Sequence, residues 1–107
     1  MEARGFEIVE RNFRSRYGEL DLVARDERFL VFCEVKTRVL RTESGQLGPF
    51  AAIGVGKQRQ VRSMAREWLA RGALEGPRPP ELRFDAIGVS FDPTGHLIAV
   101  DHIEAAF

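Results

Sequence analysis

The stretch Arg28–Lys36 (RFLVFCEVK) constrains the fold more than any other part of the chain. Alternation puts Phe29, Val31, Cys33 and Val35 on one face and Leu30, Phe32, Glu34 and Lys36 on the other. Both faces are mostly apolar, which reads as a central strand covered on both sides. Just upstream, Glu19–Arg25 (ELDLVAR) alternates with the same period. Leu20, Leu22 and Ala24 fall on one side of it, Glu19, Asp21 and Val23 on the other. Asp26-Glu27 joins the two segments, so an antiparallel hairpin is the natural pairing.

A hairpin centred on Asp26-Glu27 sets Asp21 opposite Phe32 and Glu19 opposite Glu34. Opposed residues share a face, so Glu19, Asp21, Glu34 and Lys36 should project to one side. Asp21 and Glu34 become diagonal neighbours, roughly 7–8 Å apart at the backbone. Three acids this close repel one another or force one to keep its proton. A divalent cation relieves that repulsion, and Mg²⁺ in particular takes one or two carboxylates, fills its octahedron with water and suits phosphate substrates. Lys36 would then orient or deprotonate the attacking water, or stabilise charge at the reacting phosphate. The residues alone leave two readings open, a metal site and an exposed charged sheet face, because Glu-x-Lys is a short motif.

Elsewhere, Phe6–Phe13 reads as a first strand. Residues 39–56 hold four glycines and one proline without clear periodicity, which predicts a mobile loop. Lys57–Arg71 is an amphipathic helix with an apolar stripe of Val61, Met64, Ala65, Trp68 and Leu69, stopped by Gly72. Arg83–Phe91 and His96–Ile103 read as two last strands joined by the turn Asp92-Pro93-Thr94-Gly95. The order β-β-β-α-β-β with a helical crossover predicts a mixed sheet in a single α/β domain spanning residues 1–107.

Net charge is zero over 107 residues, but residues 36–71 hold eight basic side chains against two acids, Glu43 and Glu67. Arg59, Arg62 and Arg66 share one helix face. They are candidates for contacts with a nucleic-acid backbone, with a solvated face as the alternative. Only Lys36 and Lys57 are lysines, which matters because a lysine ammonium is a compact donor with a tunable pKa. No run reaches membrane-span length, the first residues show no signal-peptide pattern, and a lone cysteine forms no internal disulfide; the cytoplasm is the default expectation. Cys33 and Trp68 fit a core. His96 and His102 do not fit a zinc pair. Ala51–Gln58 resembles a P-loop only in outline, lacking its first glycine and its Ser or Thr. Asp85 is either a structural acid paired with an arginine or a support of the metal site.

The stretch Tyr17–Arg38 (YGELDLVARDERFLVFCEVKTR) resembles the signature of the YraN family, bacterial proteins related to Holliday-junction resolvases within the PD-(D/E)xK nuclease superfamily. The likeness extends to Gly5–Asn12, to Lys57 and to Arg83-Phe84-Asp85. It implies a restriction-endonuclease-like core, a mixed five-stranded sheet flanked by helices, and a Mg²⁺- or Mn²⁺-dependent endonuclease acting on DNA, branched DNA included. Asp21 and Glu34 would be metal ligands and the backbone carbonyl of Val35 a further one. Lys36 would be the catalytic lysine, Glu19 and Asp85 would give support, and Arg38 would meet a phosphate, with Lys57 also toward the nucleic acid. Relatives carry an N-terminal helix before the segment matching Glu2–Gly5, and that helix is expected to be largely absent here. Its loss would leave apolar surface open and favour a homodimer. The alternative function is a non-catalytic nucleic-acid-binding module that keeps the nuclease fold.

Overall fold

The computed structural model describes residues 5–39 and 54–107. Along the chain run β1 (Glu7–Ser15), β2 (Gly18–Arg25), β3 (Phe29–Val39), α1 (Val55–Ala70), β4 (Glu81–Phe91) and β5 (Leu97–Ile103). The five strands form one sheet in the order β1-β2-β3-β4-β5. All neighbours are antiparallel except β3 and β4, which are parallel and joined through α1. A parallel pair cannot be closed by a tight turn, so the helical crossover expected from the sequence is what the topology requires. The expectation of flanking helices narrows to one: α1 is the helix among the described residues, and it packs on one face of the sheet.

That face carries the larger core. Phe13, Leu20, Val23, Leu30 and Phe32 from β1–β3 meet Val61, Met64, Ala65 and Trp68 of α1. Trp68 is fully buried, edge-on to Phe32 with ring centroids 5.9 Å apart, and its indole N–H donates to Glu10 at 3.3 Å. The opposite face holds a smaller cluster of Phe6, Ala24, Val31 and Cys33. β3 is therefore buried on both sides from Leu30 to Glu34, as its two apolar faces imply.

Most element boundaries differ from the sequence reading by one to three residues. β3 runs on to Val39, and α1 starts at Val55 rather than Lys57. The rest of the expected 39–56 loop, residues 40–53, lies outside the described residues, as do residues 1–4. Gly72, with φ +65°, ends α1: its N–H donates to Leu69 O, and that of Arg71 to Glu67 O. The β4–β5 turn is set by Asp92, whose Oδ1 accepts from the N–H groups of Thr94 and His96.

The β2–β3 hairpin turns one residue later than expected. Asp26 N–H donates to Phe29 O, and Asp26 Oδ1 accepts from the N–H groups of Arg28 (2.9 Å) and Phe29 (2.7 Å). This Asp-centred turn places Glu27-Arg28 at the tip. The pairs are Leu22↔Cys33, Val23↔Phe32, Ala24↔Val31 and Arg25↔Leu30. Moving the centre by one residue moves each opposed partner by two, so no strand is turned over.

Candidate active site

One step beyond the Leu22↔Cys33 pair, the same register brings Asp21 level with Glu34. The backbone pairing of β2 with β3 ends there, and the Asp21 side chain takes over from the backbone. Its Oδ2 accepts from Val35 N–H at 2.8 Å. Beyond this point β2 stays paired with β1, while β3 stays paired with β4. The two halves of the sheet part in a notch whose apex is Asp21, Glu34 and the Val35 peptide.

The alternation of β2 also breaks at Asp21. Leu20 and Val23 both lie in the α1-side core, whereas Leu22 and Ala24 lie in the opposite cluster. The expected grouping of Leu20 with Leu22 and Ala24 is thus corrected. On β1, the pairs Arg11↔Leu22 and Phe13↔Leu20 flank Asn12, which has φ +53°. Asparagine tolerates that left-handed conformation better than most residues, so this kink in β1 faces the break in β2.

The break divides the four residues expected on one face. Glu34 points to the α1 side, where its Oε1 meets Lys57 Nζ at 3.1 Å. Lys36, two residues along β3, follows the same side. Glu19 neighbours Leu20 and so faces away from α1, with its carboxylate 3.9 Å from exposed Arg14. Asp21 is turned toward the neighbouring strand. Asp21 and Lys36 are still close enough to act on the charge of Glu34.

Glu34 is the electrostatic centre of the notch. Its residue is 8% exposed, and its Oε2 is buried with no hydrogen-bond partner. Burial raises its carboxyl above the ordinary value, and Asp21 adds to that. The hydrogen bond and charge of Lys57, and the charge of Lys36, pull the other way.

α1 closes the notch from above with its first two turns. Lys57 reaches β3, and Gln60 donates through Nε2 to the carbonyl of Tyr17 in the β1–β2 turn. Gly18 permits this approach: it has φ +127°, and a Cβ there would sit 2.6 Å from Gln60 Nε2. In the sequence Lys57 is a candidate for the nucleic-acid backbone, and no local pattern marks Gln60 or Asn12. The absence of any acid in the first turn of α1 was the available signal that Lys57 needs a partner from elsewhere.

Asp85 lies on the other face, level with Cys33. It is fully buried and accepts from Arg83 Nε and Nη2 (both 2.8 Å) and Ala105 N–H (3.0 Å), with His102 Nε2 at 2.7 Å. These contacts tie β4 to the end of β5. Arg38 donates through Nε to buried Ser90 at 2.9 Å. Arg62 lies over Phe84 and Phe107, Arg66 donates to Ser63, and both are exposed with Arg59 along α1.

Among the described residues no group of three or more His, Cys, Asp or Glu is arranged to hold a metal. Two carboxylates and a main-chain carbonyl fall below that number, yet they suit an ion that keeps several waters. A separate groove of about 850 Å³ lies at the turn end of the hairpin, lined by Arg25, Asp26, Arg28 and Arg78 among others; it includes none of the notch residues.

Residues 1–89 match the model of Uncharacterised protein family UPF0102. A UPF0102 protein of Nocardia farcinica is 44% identical over 96% of this chain and 76% of its own. One from Geobacter metallireducens is 42% identical over 100% and 81%, and one from Streptomyces griseus 47% identical over 79% and 67%.

Proposed function

The chain belongs to the UPF0102 (YraN) family, and on that premise we propose that it is a metal-dependent nuclease, with a restriction-endonuclease-like core, that hydrolyses DNA phosphodiesters. The observation that carries this reading is Glu34 Oε2, a buried carboxylate oxygen without a partner, at the apex of a notch shared with Asp21. Burying such an acceptor unsatisfied is costly. A hard divalent cation is the partner that two carboxylates beside a peptide group suit.

Asp21, Glu34 and the carbonyl of Val35 would hold Mg²⁺ or Mn²⁺. When bound, the ion would supply charge neutralisation at a phosphate oxygen and make water a better nucleophile. Lys36 would orient the attacking water and stabilise charge at phosphorus. Arg38, anchored on Ser90, and Arg59, Arg62 and Arg66 would hold flanking phosphates without reading sequence. Branched DNA is the substrate class that the family resemblance favours.

The second reading is a non-catalytic nucleic-acid-binding module, favoured by one observation: Lys57 already neutralises Glu34 from within the chain. Cleavage of linear and branched DNA in Mg²⁺ or Mn²⁺ separates the two. The nuclease reading expects Lys36→Ala to lose about a hundredfold or more in rate with the fold intact. Retained DNA binding without cleavage would favour the module.

A further inference from the structure

Lys57 occupies an unusual position for a cation. It lies in the first turn of α1, where the helix dipole disfavours positive charge, and that turn holds no acid to offset it. Its partner comes from the sheet: Glu34 Oε1, 3.1 Å from the ammonium. The other oxygen of the same carboxylate has no partner. Glu34 is thus a buried carboxylate with one oxygen held by a cation of the chain and the other left bare. The Lys57 side chain is 40% exposed, so a flexible four-carbon stem could carry its ammonium out to water without moving the helix. Gln60, one turn on, fastens α1 to the carbonyl of Tyr17 independently of Lys57.

We propose that Lys57 is a stand-in cation: in the metal-free protein its ammonium neutralises Glu34, and a divalent ion entering the notch displaces it. The inference rests on the metal-binding reading above and extends it to a residue outside the ligand set. Displacement has two consequences. The chain's own cation competes with the ion, so metal affinity is lower than Asp21 and Glu34 alone would give. The released ammonium remains at the notch, where it can meet a phosphate of bound DNA.

Calorimetric titration of Mn²⁺ into the wild-type chain, Lys57→Met and Lys57→Arg tests this, with thermal unfolding of each in the absence of metal. Lys57→Met keeps the length of the stem and removes the ammonium, both its charge and its hydrogen bond to Glu34. It should bind Mn²⁺ about tenfold more tightly, the scale of removing one unit charge from a partly exposed site. It should also melt lower without metal and gain more from metal, because its Glu34 has lost its neutralising partner. Lys57→Arg should stay within about threefold of wild type in affinity, since it keeps the charge. Binding by Lys57→Met alone would be the limiting form of the same result. If wild type binds and Lys57→Met binds equally or more weakly, the stand-in role is overturned while the metal site survives. If Lys57→Arg gains affinity as Lys57→Met does, charge is not the cause and the inference fails. Absence of binding in all three chains overturns the metal-binding reading and this inference with it.

Discussion

Replacing Asp85 with asparagine tests whether this acid is a structural lock or a part of the site. Each of its oxygens serves two partners. Oδ1 accepts from Arg83 Nε and Ala105 N–H, while Oδ2 accepts from Arg83 Nη2 and contacts His102 Nε2. Arg83 and a backbone N–H can only donate. Whichever way the new amide is flipped, its NH₂ therefore faces an Arg83 donor, and the guanidinium is left without its counter-charge. The Arg83 side chain is 11% exposed, and its other acid, Glu104, is 3.8 Å away at the surface and too far to replace the lost pair. Breaking a buried pair from one side costs about 3–5 kcal/mol. That is a large share of the roughly 5–15 kcal/mol that holds such a domain together. With a urea m-value of about 2 kcal/mol/M, the unfolding midpoint should fall by about 2 M. Manganese binding, measured where Asp85→Asn remains folded, should be unchanged, because Asp85 lies on the face away from Glu34. A loss below about 1 kcal/mol, the range of an exposed ion pair, would refute the reasoning. So would a selective loss of metal binding.

Glu34 gives a prediction in pH. Its carboxyl is raised above 4.5 chiefly by burial, so the folded chain holds that proton more tightly than the unfolded one. Its contribution to stability is full below pH 4.5 and is lost as pH rises through the raised folded value. In urea titrations without metal, Glu34→Gln should therefore lose less stability than wild type between pH 4 and pH 8; parallel profiles would contradict the assignment. Cys33 is buried and its thiol is pushed up to about 12, so it should react with a disulfide reagent only on unfolding. Labelling at pH 8 that is faster than global opening would count against the buried position. Gly18→Ala forces a side chain into φ +127° and should cost about 1–3 kcal/mol in the same urea assay; a neutral result would remove the conformational reason for glycine there.

Much of this architecture is legible in the sequence because its signals are strong and local. Two apolar faces on one strand made β3 central, and a helical stripe between strands made the β3–β4 connection a crossover. Trp68 and Cys33 are core residues for the same reason. The hairpin turn was misplaced by one residue because Asp26 binds two following N–H groups, a competition that alternation does not encode. Alternation misassigns the faces of β2 because it breaks at Asp21, opposite a left-handed Asn12 in β1 that the apolar pattern does not signal. The link between Lys57 and Glu34 spans the helical crossover, so no local pattern announces it. The residues at the notch were nameable from sequence; their division between sheet faces was not.

The account turns on whether a divalent ion enters the notch between β2 and β3. Adding Mn²⁺ stepwise to the ¹⁵N-labelled chain and following backbone amides by NMR tests that directly, since the ion broadens signals close to it. The account predicts early broadening of Glu34, Val35 and Asp21, abolished in Glu34→Gln while the remaining spectrum shows an intact fold. Broadening that begins elsewhere, or that persists at Val35 in Glu34→Gln, would contradict it.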